Sequence, residues 1–310
     1  MQGNEEKKHN IRGHKILLAS VLCLFGFCLL AQKPVQNKQS RPQQEAKVQA
    51  PKKQQAKSKV YLIHSDMLRK DSRHPDAQVV TGNVVFRHDS VYMYCDSAYF
   101  YEQTNSLEAF SNVRMEQGDT LFLYGDRLYY DGNTQIAEVR NNVRMENRNT
   151  TLLTDSLNYD RLYNLGYFFD GGTLMDEQNV LTSEWGEYNP STKQSVFNYN
   201  VKLVNPQFTL TSDTLEYNTQ SKVAEIVGPS DILSDNNHIY SEQGTYNTAT
   251  GKAALYQRSI ITNDAKQLTG DTLFYDRNTG VGEAFSHMEM RDTINKNMMT
   301  GEYGYYNEKT

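Results

Sequence analysis

The sequence predicts an all-β protein built from stacked repeats of about 29 residues. Three observations predict this fold class: a recurring acid-and-ring motif, apolar residues that alternate with polar ones, and polar turn sequences between the apolar segments. A fixed period in the range of roughly 20 to 50 residues is typical of units that stack because none can bury its apolar face alone. Fold and function must therefore both be sought in the repeat.

Each repeat is marked by an acid that follows a small residue and precedes an aromatic ring by four positions. Successive acids are 29 to 31 residues apart. A fainter copy begins at Asp66, where Lys70 replaces the ring, and this unit is expected to cap the array. The acids are Asp96, Asp126, Asp155, Glu184, Asp213, Glu242, Asp271 and Glu302, and the rings are Phe100, Tyr130, Tyr159, Tyr188, Tyr217, Tyr246, Tyr275 and Tyr306.

The apolar residues within one repeat have the period of β-strands. In the repeat that begins at Asp126 they fall in pairs at 128 and 130, 137 and 139, and 143 and 145, and nothing recurs at helical spacing. Polar segments after the rings, such as 131–134 and 247–251, predict hairpin loops. A second polar break at 141–142 separates the later pairs, so each repeat is predicted to hold roughly three short strands.

The acid itself is predicted to mark a corner between two sheets. Apolar residues lie three positions before the acid and two and four after it, so they cannot share one face of a regular strand. A bulge or bend at the acid would carry the strand from one sheet to the other. The small residue before the acid, which is Cys95 in the first strong repeat, suits a tight corner.

Residues 1–31 are predicted to be a signal peptide or an N-terminal anchor, and residues 32–59 a basic linker. Four basic residues precede sixteen mostly apolar residues at 16–31, which is the layout of a secretory signal. A membrane helix needs about 20 residues, so cleavage near Ala31 is favoured over an uncleaved anchor or a lipid on Cys23 or Cys28. The linker is rich in Gln, Lys and Pro, with eight Lys or Arg and one Glu. All these interpretations export the repeat domain, residues 60–310.

The composition of the repeat domain argues against several function classes. Residues 60–310 carry 20 Lys and Arg against 34 Asp and Glu, a net charge of −14, so nucleic acid is not an expected partner. There is no nucleophile elbow, phosphate loop, His-Glu-x-x-His or Cys-x-x-Cys motif. One acid per repeat does not form a calcium shell, and His64, His74 and His88 are expected on the surface. We therefore expect neither catalysis, nor a metal, nor a cofactor.

Two pairs of segments share one local pattern. Residues 82–86 read Gly-Asn-Val-Val-Phe, and residues 92–100, Tyr-Met-Tyr-Cys-Asp-Ser-Ala-Tyr-Phe, follow them. Residues 142–146 and 152–160 repeat the pattern. This pattern resembles the OstA-like family, and the resemblance extends over about residues 60–310. The family includes the periplasmic lipopolysaccharide transport proteins A and C and the N-terminal domain of the outer-membrane translocon D.

The resemblance implies an open β-jellyroll of two facing sheets whose apolar interior holds lipid acyl chains. It implies a non-enzymatic, lipid-binding bridge protein that serves lipopolysaccharide transport to the outer membrane and its assembly. The implied partners are lipopolysaccharide or a related glycolipid and other jellyroll transport proteins that pair through edge strands. Head-to-tail association of copies of this chain is expected instead from its incomplete last unit. The implied location is the periplasm, with attachment to the inner membrane or association with the outer membrane.

The predicted lipid-binding residues are those whose place in the repeat matches the inward face of the jellyroll. They are Val113, Met115, Leu123, Val139, Val143, Met145, Leu152, Phe168, Leu174, Phe197, Val201, Leu203, Leu210, Ile226, Ile232, Ile239, Leu255, Ile261 and Leu268. The unit that starts at Glu302 is incomplete, so its strand is expected to offer a free pairing edge.

Two other functions remain open on the sequence. A right-handed parallel β-helix that binds or degrades polysaccharide would have a closed, densely filled interior. A structural repeat protein on the cell surface would carry no lipid. The transport interpretation predicts an open apolar cleft instead.

Overall fold

The computed structural model describes residues 58–234 and 237–308, and nearly all of them lie in strands or turns. The predicted signal or anchor and all but the last two residues of the predicted linker lie outside this part of the chain. In the described residues no helix is long and apolar enough to span a membrane. The strands are β1 (Tyr61–His64), β2 (Met67–Asp71), β3 (His74–His88), β4 (Val91–Tyr101), β5 (Ser106–Gln117), β6 (Leu121–Asp131), β7 (Ile136–Asn147), β8 (Thr150–Asp160), β9 (Leu165–Phe168), β10 (Gly172–Asp176), β11 (Asn179–Ser183), β12 (Trp185–Tyr188), β13 (Gln194–Asn205), β14 (Phe208–Asn218), β15 (Val223–Ser234), β16 (Asn237–Asn247), β17 (Lys252–Asn263), β18 (Lys266–Asp276), β19 (Val281–Asp292) and β20 (Asn297–Asn307).

Each long strand pairs antiparallel with the next one along the chain. Three places hold a strand broken in two: β1 and β2 both pair with β3, β9 and β10 both pair with β8, and β11 and β12 both pair with β13. The predicted all-β repeat fold is therefore confirmed. The alternative of a parallel β-helix is wrong, because the pairings of these strands are antiparallel.

A repeat holds two long strands and not the three short ones predicted. The repeat that contains Asp126 consists of β6 and β7, with 11 and 12 residues. The apolar pairs at 137 and 139 and at 143 and 145 both lie on β7. The polar break between them is a bulge, in which Asn141 and Asn142 have φ angles of 63° and 51° while the hydrogen-bonded ladder continues on either side.

The corner predicted at the acid is present, but the extra residue lies on the neighbouring strand. Between the pairs Tyr124↔Arg144 and Arg127↔Arg140, β7 has one residue more than β6, so the buried positions change from odd to even numbers on β6 and stay odd on β7. The amide nitrogen Nδ2 of Asn142 donates a hydrogen bond of 2.6 Å to Oδ2 of Asp126. A bulge that bends the strand at this point folds each pair of strands across two facing sheets.

The corner contact recurs along the chain. Asn112 donates to Asp96 at 2.7 Å, Asn83 donates to Asp66 at 2.9 Å, and His287 contacts Asp271 at 2.7 Å. The left-handed backbone at these bulges favours Asn and Gly, so the same residue supplies both the turn and the partner of the acid. The recurring acids therefore have a structural role, as hydrogen-bond partners at the corners.

Candidate lipid-binding interior and polar seam

All nineteen residues predicted to face inward lie in the apolar core between the two sheets. Each is at most 3% exposed. Their contact with lipid is not tested by their burial and stays a prediction.

One inward column of apolar side chains is unbroken from the first strand to the last. Each of its members is the register partner of the next across an antiparallel pair. With strands about 4.8 Å apart, the column runs for roughly 75 Å along the sheet. It consists of Leu62, Phe86, Met93, Met115, Leu123, Met145, Leu152, Leu174, Leu181, Leu203, Leu210, Ile232, Ile239, Ile261, Leu268, Met290 and Met299.

The aromatic rings of the repeat motif, called the ladder rings below, form a second inward column. Large and small residues alternate along this column. Tyr130 pairs with Ala137, and Tyr217 pairs with Ala224. The small residues recur every 29 positions at 137, 166, 195, 224, 253 and 282 and leave room for the rings. Tyr130, Tyr159 and Tyr188 are at most 1% exposed. Rings and small residues together fill the interior on this side.

The strand ends of the two sheets meet at a polar seam on the side opposite the corners. One edge of this seam is the row of ring-side turns, which follow the ladder rings. The other edge is the row of far-side turns at the opposite strand ends. The ring hydroxyls donate hydrogen bonds across the seam to polar residues at the ends of the far-side strand halves, which are the parts of the strands that lead into the far-side turns. Tyr188 donates to Asn147 at 3.2 Å, and Tyr306 donates to Asn263 at 3.2 Å. In the described residues, no hydrogen bond between two backbone groups crosses the seam. Each hydrogen bond that joins the two edges therefore involves at least one side chain.

The centre of the seam contains a buried carboxylate. Asp176 accepts a hydrogen bond of 2.8 Å from the Tyr217 hydroxyl and contacts of 2.8 Å from Lys222 Nζ. Asn179 Nδ2 donates to the same hydroxyl at 2.9 Å. Burial and the hydrogen bond to Asp176 raise the pKa of Tyr217. Desolvation lowers the pKa of Lys222, but its bonds to Asp176 and Glu177 outweigh it and raise that pKa. Asp176 is therefore hydrogen-bonded to both a tyrosine and a lysine inside the seam.

The seam near the N-terminal end contains a histidine. His88 is fully buried, contrary to the predicted surface position, and its Nδ1 lies 2.6 Å from the Tyr130 hydroxyl and 3.1 Å from Arg161 Nη1. Burial, followed by the charge of Arg161, lowers the pKa of His88. Burial also raises the pKa of Tyr130 to about 12. The three groups therefore favour a neutral imidazole beside a neutral phenol.

The seam closes the lateral opening of the jellyroll. The transport interpretation predicts an open apolar cleft, whereas the interior is filled by its own side chains in this structure. A packing gap too small to hold a water molecule, lined by Ile261, Leu268, Met290 and Tyr306 among others, lies near the C-terminal end. Access for an acyl chain therefore requires the seam to part or the chain to enter from an end.

Sequence reasoning did not identify the seam, although the sequence contains a signal for it. The last residues of the far-side strand halves are polar and recur every 29 or 30 positions, in step with the rings. Their column consists of His88, Gln117, Asn147, Asp176, Asn205, Ser234 and Asn263. The changing residue type conceals this column, because the only shared property is a side chain that can hydrogen-bond a tyrosine hydroxyl.

The described residues do not bring together three His, Cys, Asp or Glu side chains in an arrangement that could hold a metal ion. Cys95 is buried and unpaired, and desolvation raises the pKa of its thiol to about 12. A thiol in that environment is a poor nucleophile at neutral pH.

Comparison with known proteins identifies the family of the chain. No curated protein is significantly similar to the chain in sequence. Among solved structures, LptH from Pseudomonas aeruginosa, described as the LptA homologous periplasmic component of the conserved lipopolysaccharide transport device, is 13% identical, with a TM-score of 0.31 over 43% of this chain and 97% of that one. The family model described as OstA-like protein matches residues 57–213 and 209–271. Because this match covers more than half of the chain, the protein belongs to the OstA-like family.

Proposed function

We propose that this protein is a non-enzymatic carrier that helps to move lipopolysaccharide, or a related glycolipid, towards the outer membrane. The observation that carries the proposal is the apolar column that every long strand extends without interruption. Membership of the OstA-like family supports it, because the family that the sequence resembles includes lipopolysaccharide transport proteins.

The physical basis is the transfer of acyl chains out of water. Each buried CH₂ contributes about 0.8 kcal/mol, so a continuous apolar surface can hold a chain without any specific contact. Affinity is then spread over the interior, and a chain can slide from one repeat to the next at little cost. No catalytic group is needed for this activity.

The polar seam is the proposed route of lateral access. A side-chain hydrogen bond contributes about 0.5–1.5 kcal/mol net, because water replaces it when it breaks. Opening a few neighbouring contacts would expose the interior locally while the corners keep the sheets joined. The sugar part of a glycolipid would remain outside, at the polar edges.

The two ends of the array are the proposed docking surfaces for further jellyrolls. β20 pairs with β19 and has no second partner among the described strands. Met299, the last member of the apolar column, is 63% exposed there. Pairing of β20 with a jellyroll partner, or with another copy head to tail, would extend both the sheet and the column. We place the protein in the periplasm, exported by residues 1–31 and held by the linker at residues 32–59.

Photo-crosslinking in cells tests the proposal. A benzoylphenylalanine residue at Phe197, which is fully buried in the interior, replaces one aromatic ring by another, and Lys202, an exposed residue of the same strand, gives the matched control. We expect a lipopolysaccharide adduct from position 197 and none from position 202. Adducts of equal yield at both positions, or none at 197 in a protein of normal β circular dichroism, would contradict lipid carriage in the interior.

A further inference from the structure

The middle of the polar seam opens into a polar cleft of about 900 Å³. It lies between the far-side turn at 148–149 and the ring-side turns at 189–193 and 219–222. Its walls carry three cationic side chains, those of Arg148, Lys193 and Lys222, and two carboxylates, those of Asp176 and Glu177. The cleft is directly beside the apolar column, because Met145 and Leu152 belong to the strands that the 148–149 turn joins.

Two of these three cations lack a counter-charge. Lys222 is paired with Asp176 at 2.8 Å and with Glu177 at 3.1 Å. Neither Arg148 nor Lys193 has a carboxylate within ion-pair distance among residues 58–234 and 237–308. Lys193 Nζ instead donates to the neutral amide oxygen of Asn147. Unmatched cations are unexpected in a domain whose sequence carries a net charge of −14.

The two cations are near enough to repel each other. Partial burial, followed by the charge of Arg148, lowers the pKa of Lys193. Arg148 also has a φ angle of 57°, a conformation that favours Asn, Asp or Gly, so the turn gives no reason for an arginine. An anion between the two side chains would relieve the repulsion and give both a charged hydrogen-bond acceptor.

We propose that this cleft binds a phosphate group between Arg148 and Lys193. The hydroxyl of Thr150 and the amide of Asn149, which also line the cleft, can complete the hydrogen bonds to its oxygens. Two sources share this chemistry: free phosphate, and the phosphorylated headgroup of an amphiphile whose acyl chains occupy the interior. The second source rests on the proposed function, because it requires lipid in the interior.

Calorimetric titration of the full-length protein with sodium phosphate at low ionic strength tests the site itself. Lys193→Gln introduces the residue that occupies the equivalent turn position at Gln135, with φ 61°, and Arg148→Asn suits a left-handed turn. We expect each variant to weaken phosphate binding about tenfold, and Lys193→Arg and the surface control Lys202→Gln to leave it within about twofold. Absence of phosphate binding in the wild type, or equal binding by Lys193→Gln and Lys202→Gln, would overturn the proposal.

A pair of amphiphiles separates the two sources of phosphate. Dodecyl phosphate and dodecyl glucoside carry the same chain, so binding of the glucoside reports on the interior alone. If both bind and a preference for dodecyl phosphate disappears in Lys193→Gln, the site serves a lipid headgroup. If inorganic phosphate binds but neither amphiphile does, the site serves free phosphate, which supports this inference and counts against lipid carriage. Equal affinity for both amphiphiles without binding of phosphate would overturn the inference and leave the carrier function standing.

Discussion

The hydroxyl of Tyr217 lies 2.8 Å from Oδ2 of Asp176, so two residues 41 positions apart in sequence join the free edges of the two sheets. Equivalent contacts recur along the array with different partners. The jellyroll is therefore held in two ways: by backbone pairing and acid–amide contacts at the corners, and at the seam by hydrogen bonds that each involve a side chain.

Removal of the Tyr217 hydroxyl should weaken the seam. We expect Tyr217→Phe to lower the free energy of unfolding by about 1–2 kcal/mol, because Asp176 and Asn179 each lose a buried partner. Tyr124→Phe is the control, since that ring faces outward against Arg144 and its change should stay within about 0.5 kcal/mol. Urea unfolding measures both, and equal losses would show that the seam contact does not stabilise the fold.

Substitution at a corner should separate the two roles of its asparagine. Asn142→Gly keeps the left-handed backbone and loses the bond to Asp126, so we expect a loss of about 0.5–1 kcal/mol. Asn142→Ala loses the bond and also strains the backbone, which should add about 1–2 kcal/mol. Chemical denaturation of the two variants decides the point. If alanine is tolerated as well as glycine, the positive φ at this bulge is not required.

The buried histidine should make stability depend on pH. The folded protein lowers the pKa of His88, so neutral imidazole favours folding, and this contribution is present above the ordinary value of about 6.5 and lost as pH falls towards the folded pKa. Asp89, with Oδ2 3.8 Å from His88 Nε2, partly opposes the shift. We expect the wild type to lose more stability between pH 7.5 and 5.5 than His88→Asn, whose new residue matches Asn147 in the same seam column. Parallel pH profiles of the two proteins in thermal unfolding would argue against a buried, neutral His88.

The free edge of β20 should mediate association. Adjacent residues of a strand direct their N–H groups to opposite sides, so proline at Met298 and proline at Met299 remove donors from different edges. Both side chains are exposed, and neither substitution empties the core. We expect the variant that removes a hydrogen bond to β19 to lose thermal stability. The other variant should keep its thermal stability and associate more weakly in analytical ultracentrifugation. A wild type that stays monomeric at all concentrations would contradict an associating edge.

The sequence predicted the repeat, the strand class, the corner and the inward face because these features depend on local period. Leu123, Met145 and Leu203 could be assigned to the interior from parity alone. The number of strands was wrong, because a polar pair such as Asn141-Asn142 marks a bulge as readily as a turn when φ is positive at both residues. The seam could not be predicted in the same way. The polar column that includes Asp176 has the period of the repeat, but whether Tyr217 reaches Asp176 depends on how far the sheets close upon each other, which the period does not encode.

Native mass spectrometry of the protein, purified gently from membranes, tests the central claim most directly. If the interior carries lipid, part of the protein should have the added mass of an acylated glycolipid, and this mass should be lost on collisional activation while the chain remains intact. A folded protein that is free of lipid in repeated preparations would contradict carriage and would favour a structural repeat protein at the cell surface.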